Sequence, residues 1–303
     1  MARAAAVHQR ARLKYLLFRL AAAVIPRLPR PVLLLLSYVA GSLTYALTPS
    51  ARVAVERNLA VAFPGLDRQT RRRLVQRTFV HGAFGYVELF SLAQATPQEL
   101  QASYHIDGWE NLDAALAAGR GAIMVTCHAG APTMAGQLIG LSGVPTTLAV
   151  ELLTPPAVHA LIADLRGGLG VRIVSVGPAT ARALISALRR NELVGIVADR
   201  DIAGSGTELP FFGKPTRVTT AVATLAVRTG AVVLPAFAAR TALLEGTGRI
   251  ESPVEMPRTG VTTDDIRDGT LRILARIEAF IRSHPEQWAV FDEIWPENRA
   301  DRG

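Results

Sequence analysis

Between residues 104 and 237 short apolar runs alternate with amphipathic stretches. Strand-like runs at 104–107, 122–126, 147–150, 172–176, 193–198 and 231–237 are separated by helical patterns around 112–118, 134–141, 157–165, 179–189 and 219–228. Strands joined through helices of this length run parallel when they share a sheet, and a parallel sheet needs cover on both faces. The expectation is therefore an α/β fold, a mostly parallel central sheet flanked by helices. With 303 residues the chain can bury a full hydrophobic core. In open sheets of this kind ligands gather at the carboxyl ends of strands, so polar residues directly after the apolar runs are the candidates for function.

Two such places stand out. The first is residues 121–133, GAIMVTCHAGAPT, where the run 122–125 ends in a polar corner with His128 at its mouth and Pro132 is suited to open a helix. Position alone leaves two readings of His128 open, a side chain that ties down a turn or a group that does chemistry. Cys127 is the only cysteine, so no intramolecular disulfide can form. Neighbouring side chains on a strand point to opposite faces, which argues against a Cys127–His128 pair. The second place is Ala198-Asp199-Arg200-Asp201, where two carboxylates flank an arginine; an ion cluster that merely holds a turn is the structural alternative. Downstream, Lys214 and Arg217 are read as lying just before a helix start, suited to a phosphate or carboxylate. Phe211 and Phe212 either line an apolar slot or pack on the core. No G-x-G-x-x-G follows a strand and no P-loop motif is present. The histidines are scattered, so no metal is expected.

Charge is distributed unevenly. Residues 1–55 hold Arg3, Arg10, Arg12, Lys14, Arg19, Arg27, Arg30 and Arg52 and no acidic residue, so the whole formal charge of +8 lies there and the remainder is balanced. These charges interleave with long apolar runs, not with the aromatic or polar groups that read bases, so nucleic acid is not an expected partner. Basic and apolar together point to an anionic membrane surface. Residues 32–48 form an uncharged stretch between Pro31 and Pro49, at the short limit for a bilayer span. A buried helix, an interfacial hairpin and a true span are the three readings. The favoured one is a helix pair lying in or against one leaflet on the cytoplasmic face of the cell membrane, peripheral or monotopic. The division is then 1–50 as basic apolar membrane-associating helices, 51–297 as the α/β domain, and 298–303 as a disordered tail. Residues 53–92 read as helical, with Asp67 or Thr70 capping a helix that carries Arg71, Arg72, Arg73 and Arg77. Residues 245–248 read as a turn, and 264–284 as an amphipathic helix capped by Thr262 or Thr263, with Trp288 and Trp295 covering the end of the core.

These pieces, in order, resemble the lysophospholipid acyltransferase superfamily. The nearer resemblance is to the bacterial lipid A acyltransferases and the actinobacterial phosphatidylinositol mannoside acyltransferases. It rests on the arginine-rich N-terminus, Arg57-Asn58-Leu59 with Phe63-Pro64, Gly119-Arg120-Gly121 leading to His128, Ala198-Asp199-Arg200-Asp201, Pro210-Phe211-Phe212-Gly213, Leu234-Pro235 and His284-Pro285-Glu286-Gln287-Trp288. The resemblance implies transfer of a fatty acyl group from acyl-CoA or acyl carrier protein to a hydroxyl of a membrane glycolipid, with His128 as general base and no cofactor beyond that co-substrate. It implies substrate contacts from among Glu151, Arg200, Phe211, Phe212, Lys214 and Arg217.

The sequence also departs from the family. The family's motif is a histidine, four residues, then Asp or Glu, and here Thr133 holds the last place. Close relatives read Glu-Arg where this chain has Glu151-Leu152. Basic residues tend to follow the C-terminal tryptophan in lipid A acyltransferases, whereas Asp292 and Glu293 stand here, which argues against an acceptor as anionic as lipid A. Three explanations of Thr133 compete. Glu151, Asp199 or Asp201 serves His128 from a neighbouring strand end; or the fold is redirected to an elimination or cyclisation on a carrier-bound biosynthetic intermediate; or the protein binds lipid or a partner protein without catalysis. A carboxylate within hydrogen-bond reach of His128, beside an apolar tunnel, marks the first. A His128 buried and satisfied by backbone groups, with no open pocket, marks the last.

Overall fold

A computed structural model describes residues 2–167 and 170–296, so the tail expected at 298–303 lies outside the described residues. Five helices come first: α1 (Ala2–Val24), α2 (Arg30–Leu47), α3 (Pro49–Ala62), α4 (Arg68–Ser91) and α5 (Pro97–Ser103). Strands and helices then alternate as β1 (Tyr104–Asp107), α6 (Trp109–Ala117), β2 (Ala122–Thr126), α7 (Pro132–Leu141), β3 (Thr146–Val150), α8 (Pro156–Gly167), β4 (Val171–Ser175), α9 (Thr180–Arg189) and β5 (Leu193–Val197). A hairpin of β6 (Thr207–Phe211) and β7 (Lys214–Val218) precedes α10 (Ala221–Thr229), β8 (Val232–Ala242), β9 (Glu245–Ile250) and α11 (Thr262–Ser283).

The seven-stranded sheet has the order β1-β9-β8-β2-β5-β3-β4. Every neighbouring pair is parallel except β8 and β9. Strand side chains alternate between two cores. Ile123, Val125, Val194 and Ile196 pack under α3, α9, α10 and α11, while Ala122, Met124 and Leu193 pack under α5, α6 and α7. The central position of β2 follows from its composition, since its first four residues are buried and uncharged on both faces. Two local expectations change. Residues 245–248 are the beginning of strand β9, not a turn, because Gly246 and Gly248 make room for the Tyr104 ring, the Ala239 carbonyl and the Ile106 side chain. The N-cap of α11 is Val261, and neither Thr262 nor Thr263 caps it through its side chain. Asp67 does cap α4, accepting from the Gln69 and Thr70 amides at 2.8 and 2.9 Å.

The first two helices leave apolar surface uncovered. From α1, Leu13, Leu16, Leu17 and Leu20 are exposed; from α2, Leu35, Leu36, Tyr38, Val39 and Leu43 are exposed, while Leu33, Ser37 and Gly41 face the protein. Among the described residues α2 is the one helix long and apolar enough to cross a membrane, by length and composition alone. On its inner side α1 seats Phe18 edge-on against Tyr86 and Phe90, and Lys14 bonds the Thr154 carbonyl at 2.9 Å.

Helix α4 is tied to the sheet by a buried ion pair. Arg240 of β8 donates to both Glu88 oxygens at 2.6 and 2.7 Å, and the Tyr104 hydroxyl donates to Glu88 at 2.9 Å. Burial and the Glu88 charge push the Tyr104 phenol above its ordinary range, so it remains a donor. Removing one member of such a pair leaves the other charged and dry. Glu88→Ala is expected to lower the unfolding free energy by about 3–5 kcal/mol in denaturant titrations, with Arg240 left unpaired.

Candidate active site

His128 follows the end of β2, which lies between β8 and β5 in the middle of the sheet. The chain bends there because Gly130 takes a left-handed conformation (φ 73°) and its backbone runs against Ala238, where a Cβ would collide with the carbonyl. Asp199 sits at the matching point after β5, the parallel neighbour in register with β2 from Ala122–Leu193 to Thr126–Val197. The result is a close pair between residues 71 positions apart: His128 Nδ1 to Asp199 Oδ1 is 2.7 Å. The other carboxylate oxygen accepts from the His128 backbone N–H at 3.0 Å and from the Trp288 indole at 2.9 Å. His128 is fastened from the C-terminal side too, its carbonyl accepting from Ala289 at 2.9 Å.

Electrostatics and geometry agree about this pair. Burial alone pushes the Asp199 carboxyl up, but the His128 charge, the ring hydrogen bond, the Trp288 indole and the His128 amide outweigh it and hold the group below the ordinary carboxylate range. An ionised carboxylate only accepts, so the His128 Nδ1 carries a proton, and in the neutral ring Nε2 carries the lone pair. Nε2 bonds no other group among the described residues, and the ring, 27% exposed, borders a cavity of about 690 Å³. Cys127, by contrast, is buried in the opposite core, and burial and the Asp199 charge keep its thiol protonated.

The cavity has an unusual position. Strands β3 and β5 are paired only from Thr146–Leu193 to Leu148–Gly195, and beyond that they part. Ala149, Val150, Ile196 and Val197 line the opening, and the cavity is walled by α7 (Gly136, Ile139) on one face of the sheet and by α9 and α10 (Leu184, Ile185, Leu225) on the other. This slot lies one strand from His128.

The expected site residues separate into two groups. His128, Thr133, Glu151 and Arg200 all border the cavity. Thr133 stands in the first turn of α7, where the motif carboxylate was missing. Glu151 does not reach His128; it lies 3.8 Å from Arg200, whose other nitrogen pairs with Asp292 at 2.7 Å. Asp201 belongs to the loop after β5, accepting from the Gly206 amide at 2.8 Å and lying 3.7 Å from Arg217. Of the three carboxylates considered, Asp199 alone meets the imidazole.

Phe211, Phe212, Lys214 and Arg217 lie away from the cavity lining. Lys214 and Arg217 are on β7, not in a loop before a helix, because Phe212-Gly213 has positive φ at both positions and closes a two-residue hairpin turn. Arg217 is spent on the Gly204 and Gly206 carbonyls, and Lys214 is exposed, its carbonyl taking the Trp295 indole at 3.1 Å. Phe211 is buried and stacks on Trp295 at 5.6 Å, and Phe212 lies 5.7 Å from Trp288. These aromatics act on the site indirectly, by fixing the tryptophan that holds Asp199. Two further cavity residues carried no local pattern to reveal them. Arg166, at the end of α8, is desolvated enough to lower its pKa, and no carboxylate pairs with it among the described residues. His81 projects from α4.

With this geometry the comparisons are specific. The model of the bacterial lipid A biosynthesis acyltransferase family matches residues 6–296, so the chain belongs to that family. A phosphatidylinositol mannoside acyltransferase of Mycobacterium tuberculosis is 34% identical over 214 residues, which span 69% of this chain and 66% of the relative. One from Mycolicibacterium smegmatis is 26% identical, over 85% and 84% of the two chains. A lipid A biosynthesis acyltransferase of Haemophilus influenzae is 24% identical, over 78% and 73%.

The Asp199 carboxyl gives a stability test. Its folded pKa lies below the unfolded one, so the ionised group stabilises the fold above the ordinary range, and this contribution is lost as pH falls from about 3.8 through the folded value. Asp199→Asn is expected to be less stable than the wild type at neutral pH, with the gap narrowing below pH 3.8. Urea titrations across the acid range measure it, and a constant gap contradicts the assignment.

Proposed function

We propose that this protein transfers a fatty acyl group from acyl-CoA or acyl carrier protein to a hydroxyl of a glycolipid of the phosphatidylinositol mannoside class, with His128 as general base and Asp199 in place of the missing motif carboxylate. The observation that carries the reading is the 2.7 Å contact between the His128 ring and Asp199 beside a large cavity. Nε2 takes the proton of the acceptor hydroxyl as its oxygen attacks the thioester carbonyl; the imidazolium that forms is offset by Asp199. When the tetrahedral adduct collapses, the C–S bond breaks and the thiolate leaves, taking that proton back. The first turn of α7, bordering the cavity at Pro132 and Thr133, has N–H groups without intrahelical acceptors and the positive end of the helix dipole, suited to the oxyanion.

The uncovered apolar faces of α1 and α2, next to the basic N-terminal residues, support action at a membrane surface, where a water-insoluble acceptor lies. The mycobacterial relatives support the acceptor class. A purely binding role calls for a histidine satisfied by backbone groups and closed off from any pocket; the carboxylate-bound ring on an open cavity favours catalysis instead.

The purified protein is expected to move label from long-chain acyl-CoA or acyl carrier protein into a mannosylated phosphatidylinositol presented in vesicles. His128→Ala abolishes transfer, and Asp199→Asn, which keeps the shape but not the charge, lowers turnover by about 10⁴. Turnover in Asp199→Asn equal to that of the wild type would remove the role assigned to the carboxylate. Label released only to water, or to no acceptor at all, would remove the acyl-transfer reading.

A further inference from the structure

Helix α4 forms one wall of the cavity through His81, Gly82, Gly85, Tyr86 and Leu89. Two of these are glycines, and other groups close on them: the Phe291 ring lies against Gly82, and the Arg240 guanidinium approaches Gly85. Of the two polar side chains on this wall, Tyr86 is largely exposed and packs against Phe18 and Phe90, and His81 is the more buried. Its ring packs edge-on against Phe84 at 5.2 Å, and its Nδ1 is buried without a hydrogen-bond partner among the described residues. A buried, unpaired nitrogen in a folded chain calls for a reason.

The surroundings restrict what it can bind. Burial, with the Arg240 and Arg77 charges, pushes the His81 imidazole down to about 4, so it is neutral at physiological pH. With Nδ1 closed off, the other ring nitrogen is the one left to face the cavity, and whether it donates or accepts, an alcohol matches it and a hydrocarbon chain does not. Among the described residues no group of three His, Cys, Asp or Glu side chains could hold a metal ion. Arg240 is occupied by Glu88. His81 and His128 border the same cavity, and the C-terminal segment touches both neighbourhoods: the Phe291 ring sits on Gly82, and Ala289, two residues earlier, bonds the His128 carbonyl.

We propose that His81 grips a second hydroxyl of the acceptor headgroup, so that the site selects a polyol or sugar over a lipid with a single hydroxyl. This rests on the acyl-transfer reading of His128. His81→Phe keeps a ring against Phe84 and removes both polar atoms, whereas His81→Gln retains a donor and an acceptor.

Steady-state kinetics with a mannosylated phosphatidylinositol and with a long-chain mono-alcohol, together with hydrolysis of acyl-CoA by water, separate the roles. In His81→Phe the acceptor KM for the glycolipid rises about tenfold or more. The KM for the mono-alcohol and the rate of hydrolysis stay as in the wild type, and His81→Gln recovers part of the loss. An unchanged glycolipid KM, or equal losses with both acceptors, overturns the assignment and leaves acyl transfer standing. A binding measurement needs no turnover: the ¹⁵N ring signals of His81, assigned by their loss in His81→Phe, shift when the glycolipid is added and not when phosphatidic acid, which has no alcohol group, is added. Identical responses to the two lipids also overturn it. A wild type that transfers no acyl group but shows the selective shift refutes the reaction and retains the hydroxyl site.

Discussion

A carboxylate taken out of water is tolerated only where enough donors replace its hydration. Asp199 meets that condition with a backbone amide and ring from the end of β2 and an indole from the C-terminal segment. Three distant pieces of chain must therefore converge on one point. The sheet supplies the first two, since β2 and β5 are parallel neighbours in register. The third is held by an aromatic cluster in which Phe211, Phe212 and Trp295 surround Trp288. The hairpin carrying Phe211 and Phe212 is thus part of the support of the site while touching none of its cavity.

A second buried charge performs the same service on the α4 side. Glu88 and Arg240 bind helix to strand, and the Gln287 side chain bonds the Arg240 backbone in both directions at 2.9 and 3.0 Å. The segment 287–289 is consequently fixed to both charged centres. Rigid placement of the imidazole then comes from the framework and not from a long side-chain network of its own.

Much of the architecture was legible in the sequence because strands buried on both faces read as uninterrupted apolar runs, and the helices between them kept their period. The strand ends with His128 and Asp199 could be identified as the functional edge for the same reason. That the two side chains touch could not be read, since strand order is a long-range property and β5 enters the sheet between β2 and β3 only in three dimensions. Lys214 and Arg217 misled because their basic side chains precede a helix in sequence, while Phe212-Gly213, a hairpin turn with an unusual first residue, gave little sign of β6 and β7. Gly246 and Gly248 read as turn residues, whereas their role is to let Tyr104 and neighbouring backbone come close. His81 and Arg166 were silent: each is an ordinary polar residue in a helix until the cavity beside it is seen.

The dependence of the site on Trp288 has a consequence for how the protein comes into being. The first two helices are synthesised, with their apolar faces uncovered, well before Trp288, the partner that completes the Asp199 environment. Those apolar faces are therefore available to other surfaces before the histidine–carboxylate pair is fully enclosed. Until Trp288 docks, the Asp199 carboxylate lacks one of its donors, so the pair reaches its full charge environment only when the C-terminal segment is in place.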